Sequence, residues 1–171
     1  MDLKKEVKEL VIAVIVVWVI YQGISILLGT AVPVTSIVSS SMEHPLDLDE
    51  WWTENQEKYH KYEITKEEFN SYSFRNGLYI GDMIVVMNSE IKQGDVIVYH
   101  PKEGCFPKIS SRDTIIHRVI SVDPIITKGD NNRNPDLING ESCILSIEGK
   151  AILGAPLVGY PRLLLFWTAG I

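Results

Sequence analysis

Residues 10–28 read Leu-Val-Ile-Ala-Val-Ile-Val-Val-Trp-Val-Ile-Tyr-Gln-Gly-Ile-Ser-Ile-Leu-Leu, nineteen positions without a charge. At about 1.5 Å per residue, a helix of that length spans roughly the 30 Å hydrocarbon layer of a bilayer. The stretch divides the chain into an anchor and a part that must fold in water. Lys4, Lys5 and Lys8 precede it, and no Lys or Arg follows until Lys58. The positive-inside bias predicts a cytoplasmic segment 1–9 and an extracytoplasmic chain from about Thr30 onward. The expected location is a cell membrane, or the endoplasmic-reticulum membrane in a eukaryote, crossed once. A cleavable signal peptide competes, because Gly29 and Ala31 imitate a processing site, but its apolar core is usually only about 7–15 residues long.

Residues 30–171 suffice for one domain with its own core. The formal charge of −6 lies outside the anchor region, since three Lys within 1–9 balance Asp2, Glu6 and Glu9. That acidic balance argues against nucleic acid as a partner. The two cysteines, Cys105 and Cys143, cannot supply the close-set pairs of a zinc site. In an oxidising compartment they could pair, or stay as two separate thiols, and their spacing does not decide which.

Beyond the anchor, β-branched and aromatic runs dominate. Val32 to Ser39, Tyr79 to Met87, Asp95 to Tyr99, Thr114 to Val122, Ile125 to Lys128 and Cys143 to Ile152 all read as short strands. Gly, Pro, Asn and Asp separate them, which predicts a mainly antiparallel β domain. The exception is 46–77, polar and helix-like. Thr65-Lys66-Glu67-Glu68 has capping-box spacing, and Asp49-Glu50 ahead of Trp51-Trp52 would supply negative charge to the first turn of an earlier helix. From Asp47 to Arg75 there are eight acidic and four basic side chains, net −4 of the total −6, so this reads as a solvated excursion from the sheet. The end of the chain, 155–171, is apolar but carries Pro156, Pro161 and Arg162. It reads as a membrane-resting surface with Phe166 and Trp167 at the interface.

Ser39-Ser40-Ser41-Met42 places hydroxyl nucleophile candidates just outside the expected bilayer. A serine hydroxyl is weak without a base, and four histidines are available. His44 is three residues from Ser41 but next to Pro45. His60 lies among charged residues of the excursion, and His100 precedes Pro101 at a strand end. His117 sits inside Ile115-Ile116-His117-Arg118-Val119-Ile120, where a titratable pair is costly unless something satisfies it. The alternative for His117 is a hydrogen-bonded core histidine. Lys128-Gly129-Asp130-Asn131-Asn132-Arg133-Asn134-Pro135-Asp136 offers two carboxylates after a strand, one of which could orient an imidazole; the same composition also suits a plain turn.

Taken together, Ser39-x-Ser41-Met42, Gly94-Asp95-Val96-Ile97-Val98-Tyr99, His117-Arg118-Val119 and Gly129-Asp130-Asn131-Asn132 with Asp136 closely resemble the type I signal peptidases, in the branch of archaea and the endoplasmic reticulum. The segments stand in the family's order over nearly all of 32–154. The resemblance implies a partly coiled, barrel-like antiparallel catalytic domain over 30–154, carrying 46–77 as a helical insertion. It implies that Ser41 is the nucleophile, His117 the base in place of the bacterial lysine, and Asp136 the carboxylate completing the set. Ser39 would help form the oxyanion hole and Asp130 would support the site. Substrates would be secretory preproteins cut after small residues, held by β-augmentation over a cleft to which Ile37, Val38 and Ile116 contribute. No metal or cofactor is implied, and the lipid bilayer and the translocation machinery are the further expected partners.

The chain departs from the family right after the nucleophile, where Met42-Glu43-His44-Pro45 reaches Gly81-Asp82 only across the long insertion. His44 is thereby left as a rival base, and the insertion suggests a lid, a membrane-facing flap or a docking surface, with Trp51-Trp52 either dipping into the interface or packing helices onto the sheet. Two other classes of function compete. A self-cleaving Ser-Lys protease would need a lysine base, and a membrane-tethered, non-catalytic β module binding secretory or translocon partners would explain anchor and sheet alone.

Overall fold

A computed structural model describes residues 3–160. Helix α1, Leu3–Leu28, is exposed along its length and is long and apolar enough to cross a membrane. Among the described residues, none of its side chains is buried against the rest of the chain. The expected apolar segment 155–171 lies, from residue 161 onward, outside the described residues.

The rest is mainly β. The strands are β1 (Val34–Ser36), β2 (Met83–Met87), β3 (Val96–Pro101), β4 (Ile115–Val122), β5 (Ile125–Lys128), β6 (Leu137–Ile138), β7 (Glu141–Ser142) and β8 (Ile144–Ala155). Six form one antiparallel sheet in the order β1-β2-β8-β3-β4-β5, and β6 and β7 form a separate hairpin. The long β8 is the hub: Ile97 pairs with Lys150 on one side and Met87 with Lys150 on the other. Gly149 makes this possible, because a Cβ there would lie 2.6 Å from the Met87 carbonyl oxygen.

Both sheet faces are covered. In β3, Val96 and Val98 join Ile84, Val86, Ile37 and Met42 on one side, while Ile97 and Tyr99 join Ile115 and Val119 on the other. That explains why β3 reads as an unbroken apolar run and β2, with only Ile84 and Val86 fully buried, alternates. The strand expected from Val32 to Ser39 is shorter, only Val34–Ser36, because the chain turns at Ser40, whose carbonyl accepts from the Glu43 N–H (3.1 Å).

The excursion holds α2 (Leu48–His60) and α3 (Lys66–Ser71). Asp47 caps α2 by accepting from the N–H groups of Asp49 and Glu50, and Thr65 with Glu68 forms the expected capping box on α3. The expectation of a solvated excursion is corrected on its inner side. Trp51, Asn55 and Tyr59 recur every four residues, so one face of α2 turns inward, and Trp51, Trp52, Tyr59, Ile64 and Phe69 build an aromatic core closed by Ile120 of the sheet. Trp51 and Trp52 are therefore packing groups, buried away from any interface. The surplus acid lies on the outer face, at Asp49, Glu50, Glu54 and Glu57. Cys105 and Cys143 are joined by a disulfide, Cα–Cα 5.8 Å, which ties the β3–β4 connection to the residue preceding β8.

Candidate active site

Three separated segments meet at the C-terminal side of β1. The first is the serine turn 39–42, the second the N-terminal half of β4, and the third the loop 129–136 after β5. A cleft of about 50 Å³ is lined by Ile37, Val38, Ser39, Ser41, Ile116 and His117, among others. Ile37 does double duty, since it is also part of the core, whereas Val38 is 61% exposed.

His117 faces the same side as Tyr99 and Phe106. Its Nδ1 lies 2.6 Å from Asp136 Oδ2. A carboxylate only accepts, so the imidazole donates from Nδ1, and in the neutral ring Nε2 carries the lone pair. The same carboxylate oxygen accepts from the Thr127 hydroxyl (2.7 Å) and the Tyr99 hydroxyl (3.1 Å). Burial pushes the Tyr99 phenol well above its ordinary value, and the neighbouring Asp136 charge adds to the rise, so Tyr99 stays a neutral donor. Three donors meeting on one buried oxygen fix the carboxyl group and, through it, the orientation of the ring. Nε2 has Asn132 Nδ2 at 3.5 Å. Gly129 leaves the room beside it, because a Cβ there would lie 2.7 Å from Nε2.

Ser41 Oγ is 3.2 Å from Ser39 Oγ and takes that hydroxyl, not His117, as its partner. Loop 129–136 grips this turn directly. The Asn131 N–H donates to the Ser41 carbonyl (2.8 Å), the Asn131 side-chain amide donates to the Ser40 carbonyl (3.0 Å), and the Asp130 N–H points at Met42 Sδ (3.5 Å).

Neither a family model nor a curated protein matches the chain.

Asp130 lies one layer deeper and is fully buried. Arg118 binds it in fork geometry, Nε to Oδ1 at 2.9 Å and Nη2 to Oδ2 at 2.7 Å. The Tyr59 hydroxyl donates to Oδ1 (2.9 Å) and His44 Nε2 to Oδ2 (3.0 Å). Burial would raise the Asp130 pKa, but the Arg118 charge and the His44 hydrogen bond outweigh it and hold the carboxyl well below the usual carboxylate range. Arg118 spends its other N–H groups on the carbonyls of Ser73, Gly94 and Phe74, and lies 4.8 Å over the Phe69 ring. The ion pair is therefore saturated with partners, which is the condition under which a buried pair is tolerated.

His44, a rival base on sequence grounds, is excluded from that role by its surroundings. It is 2% exposed, its Nε2 is spent on Asp130, its Nδ1 is enclosed with no partner among the described residues, and its ring stacks on Trp51 at 3.8 Å. His60 is exposed beside Trp52, as its charged neighbours suggest. His100 bonds the Asp113 carbonyl (2.9 Å) and Glu148 (3.2 Å), away from the serines.

The candidate residues thus fall in two layers. Ser39, Ser41, His117 and Asp136 line or adjoin the cleft; Asp130 stands behind it. Sequence reasoning missed the residues that hold these two carboxylates. Tyr99 and Thr127 read as ordinary strand positions, and Tyr59 belonged to the excursion; a hydroxyl on an otherwise apolar strand face, as at Thr127, was the available signal.

Proposed function

We propose that the chain is a membrane-anchored serine endopeptidase of signal-peptidase type, with Ser41 as nucleophile, His117 as general base and Asp136 as the group that orients the base. The observation that carries this reading is the 2.6 Å His117–Asp136 contact opening on the cleft that Ser41 lines. A buried histidine–carboxylate pair alone is compatible with a purely structural role; one whose second nitrogen, held only by a long 3.5 Å contact to Asn132 Nδ2, belongs to a residue lining a serine cleft has the parts for acyl transfer. The motif resemblance supplies the substrate class, preproteins emerging from a membrane, and α1 is long enough to hold the cleft near one.

In the reaction, the Ser41 hydroxyl exchanges its Ser39 partner for His117 Nε2 by rotation about its Cα–Cβ bond. His117 takes the proton as Oγ attacks the scissile carbonyl, and the imidazolium is stabilised by Asp136. Ser39 Oγ, freed from Ser41, and the Ser41 N–H donate to the developing oxyanion. The C–N bond then breaks as Nε2–H protonates the leaving amine. Water, deprotonated by the same nitrogen, attacks the acyl ester and regenerates Ser41.

The substrate backbone has somewhere to bind. The N-terminal part of β4 pairs with β3 on one side, but β5 begins to pair only at Arg118, so among the described residues 115–117 have no strand partner on the other edge. Val38 and Ser39 continue β1 on the opposite side of the cleft. An extended peptide fits between two such edges by β-augmentation. A cavity of about 50 Å³ between Ile37, Val38 and Ile116 suits small side chains at the cut.

The test is cleavage of a labelled preprotein by the full chain in detergent micelles. Ser41→Ala and His117→Ala should each lower kcat by at least about 10³-fold, and Asp136→Asn by about 10³–10⁴-fold through the wrong tautomer. Full activity in Ser41→Ala would sink the proposal.

A further inference from the structure

We infer that Asn131 is a positioning residue that aims the backbone donor of the oxyanion hole; the inference rests on the serine-endopeptidase reading. The Ser40 carbonyl and the Ser41 N–H belong to one planar peptide unit, and in a trans peptide they point in opposite directions. Whatever holds the Ser40 oxygen therefore sets the direction of the Ser41 N–H.

Two donors hold that oxygen, the Glu43 N–H at 3.1 Å and the Asn131 side-chain amide at 3.0 Å. The first is local and closes the turn. The second comes from 91 residues away in sequence and fixes the turn against the rest of the site. Asn131 also holds the next peptide plane, because its own N–H donates to the Ser41 carbonyl at 2.8 Å. One residue thus grips the planes on both sides of the Ser41 Cα. Those grips leave the Ser41 side chain to rotate and the Ser41 N–H to point away from the loop.

The clamp has a rigid base. Asp130, the preceding residue, is fully buried and held by Arg118, Tyr59 and His44, so Asn131 projects from the best-fixed point of the loop. Its amide is exposed in the free enzyme, where such a bond contributes little. A peptide lying across Ser39 to Ser41 excludes water from it, and a bond in a drier site is stronger and polarises the peptide it holds. The contribution therefore grows as the reaction centre forms, which affects kcat more than KM. Among the described residues, the hydrogen bonds of Asn131 go to Ser40 and Ser41 and none goes to His117 or Asp136.

The experiment measures kcat and KM of the full chain in detergent, on a preprotein with alanine at the cut, for Asn131→Ala, Asn131→Asp and Ser41→Ala. Losing an oxyanion donor outright costs about 10²–10³-fold, and misaiming one should cost about 10- to 100-fold in kcat with KM within about twofold. The Asp variant is the discriminating one. It keeps the size of Asn but offers no donor and sets a carboxylate against the Ser40 oxygen, so it should lose at least as much as Ala, whereas a space-filling role would leave it active. Wild-type kcat in Asn131→Asp, or a change confined to KM, overturns the inference while an inactive Ser41→Ala leaves the enzyme class standing. An active Ser41→Ala overturns the class itself.

Discussion

Lys128 is charged in a place where charge is costly, and the cost can be read as a pH dependence of stability. Its ammonium, enclosed at the end of β5, donates to the carbonyls of Gly129 (2.9 Å) and Asp130 (3.1 Å) and to the Tyr59 hydroxyl (3.4 Å). Burial lowers its pKa from 10.5 to about 8, the Asp130 charge opposing the fall. Below pH 8 the lysine is protonated in both states and the fold bears the full cost. Between pH 8 and 10.5 the unfolded chain binds more protons than the folded one, so stability rises with pH. From pH 7 to pH 10 the gain from this residue is about 2–3 kcal/mol. The window closes near pH 10, because burial holds Tyr59 protonated in the fold while the unfolded chain begins to lose that proton, which works the other way. Urea unfolding of the full chain in micelles, followed by fluorescence of the buried Trp51 and Trp52, measures the effect at each pH. Subtracting the same series for Lys128→Met removes groups that titrate alike in both. The difference should tilt toward the wild type by about 2–3 kcal/mol between pH 7 and 10. A flat difference would refute the claim that Lys128 is held charged at a cost.

Arg118→Met strips Asp130 of its ion pair and leaves the carbonyls of Ser73, Phe74 and Gly94 short of a donor. Removing one partner of a buried pair costs about 3–5 kcal/mol, so the variant should show a large fall in urea midpoint, if it folds at all, and an unchanged midpoint would show the pair to be dispensable. Cys105→Ser with Cys143→Ser opens a loop of sequence separation 38, and chain entropy alone makes the loss about 4 kcal/mol. The disulfide also steadies residue 143, whose backbone N–H donates to the Asp136 carbonyl (3.0 Å), so preprotein cleavage should fall further than unfolding at assay temperature accounts for.

The insertion after the nucleophile is the clearest departure from the resembled family, and the structure changes what it means. Whether its outer face serves as lid, flap or docking surface, its inner face is bound into the domain: Tyr59 reaches the Asp130 carboxylate, Trp51 covers His44, and the carbonyls of Ser73 and Phe74 take two Arg118 bonds. Gly77 brings the chain back so close to the serine turn that a Cβ would lie 2.7 Å from the Met42 carbonyl. The insertion buttresses the buried Asp130–Arg118 layer behind the cleft, and excising it would strip that ion pair of Tyr59 and two carbonyl partners.

Periodicity and composition were enough for the coarse architecture, because each signal is local. Nineteen uncharged residues make a membrane-length helix whatever surrounds them, and the runs at 83–87, 96–101, 115–122 and 125–128 are strands by their own β-branched pattern. Thr65 and Glu68 announce a helix start three residues apart. His117 could be singled out as one of four histidines, lying inside an apolar strand, whereas Ser41 and Asp136 were picked out only by their resemblance to a motif series. What sequence left open depends on which distant groups meet. Asp130 and Asp136 are six residues apart and chemically identical; one became the partner of His117 and the other the partner of Arg118, His44 and Tyr59, since successive strand residues His117 and Arg118 point to opposite faces of β4. Whether Cys105 and Cys143 pair, whether Trp51 faces lipid or core, and how Asn131 grips Ser40 were likewise decided by through-space geometry. Residue type states what a side chain can do; only the tertiary fold, by choosing its neighbours, decides which of those things it does.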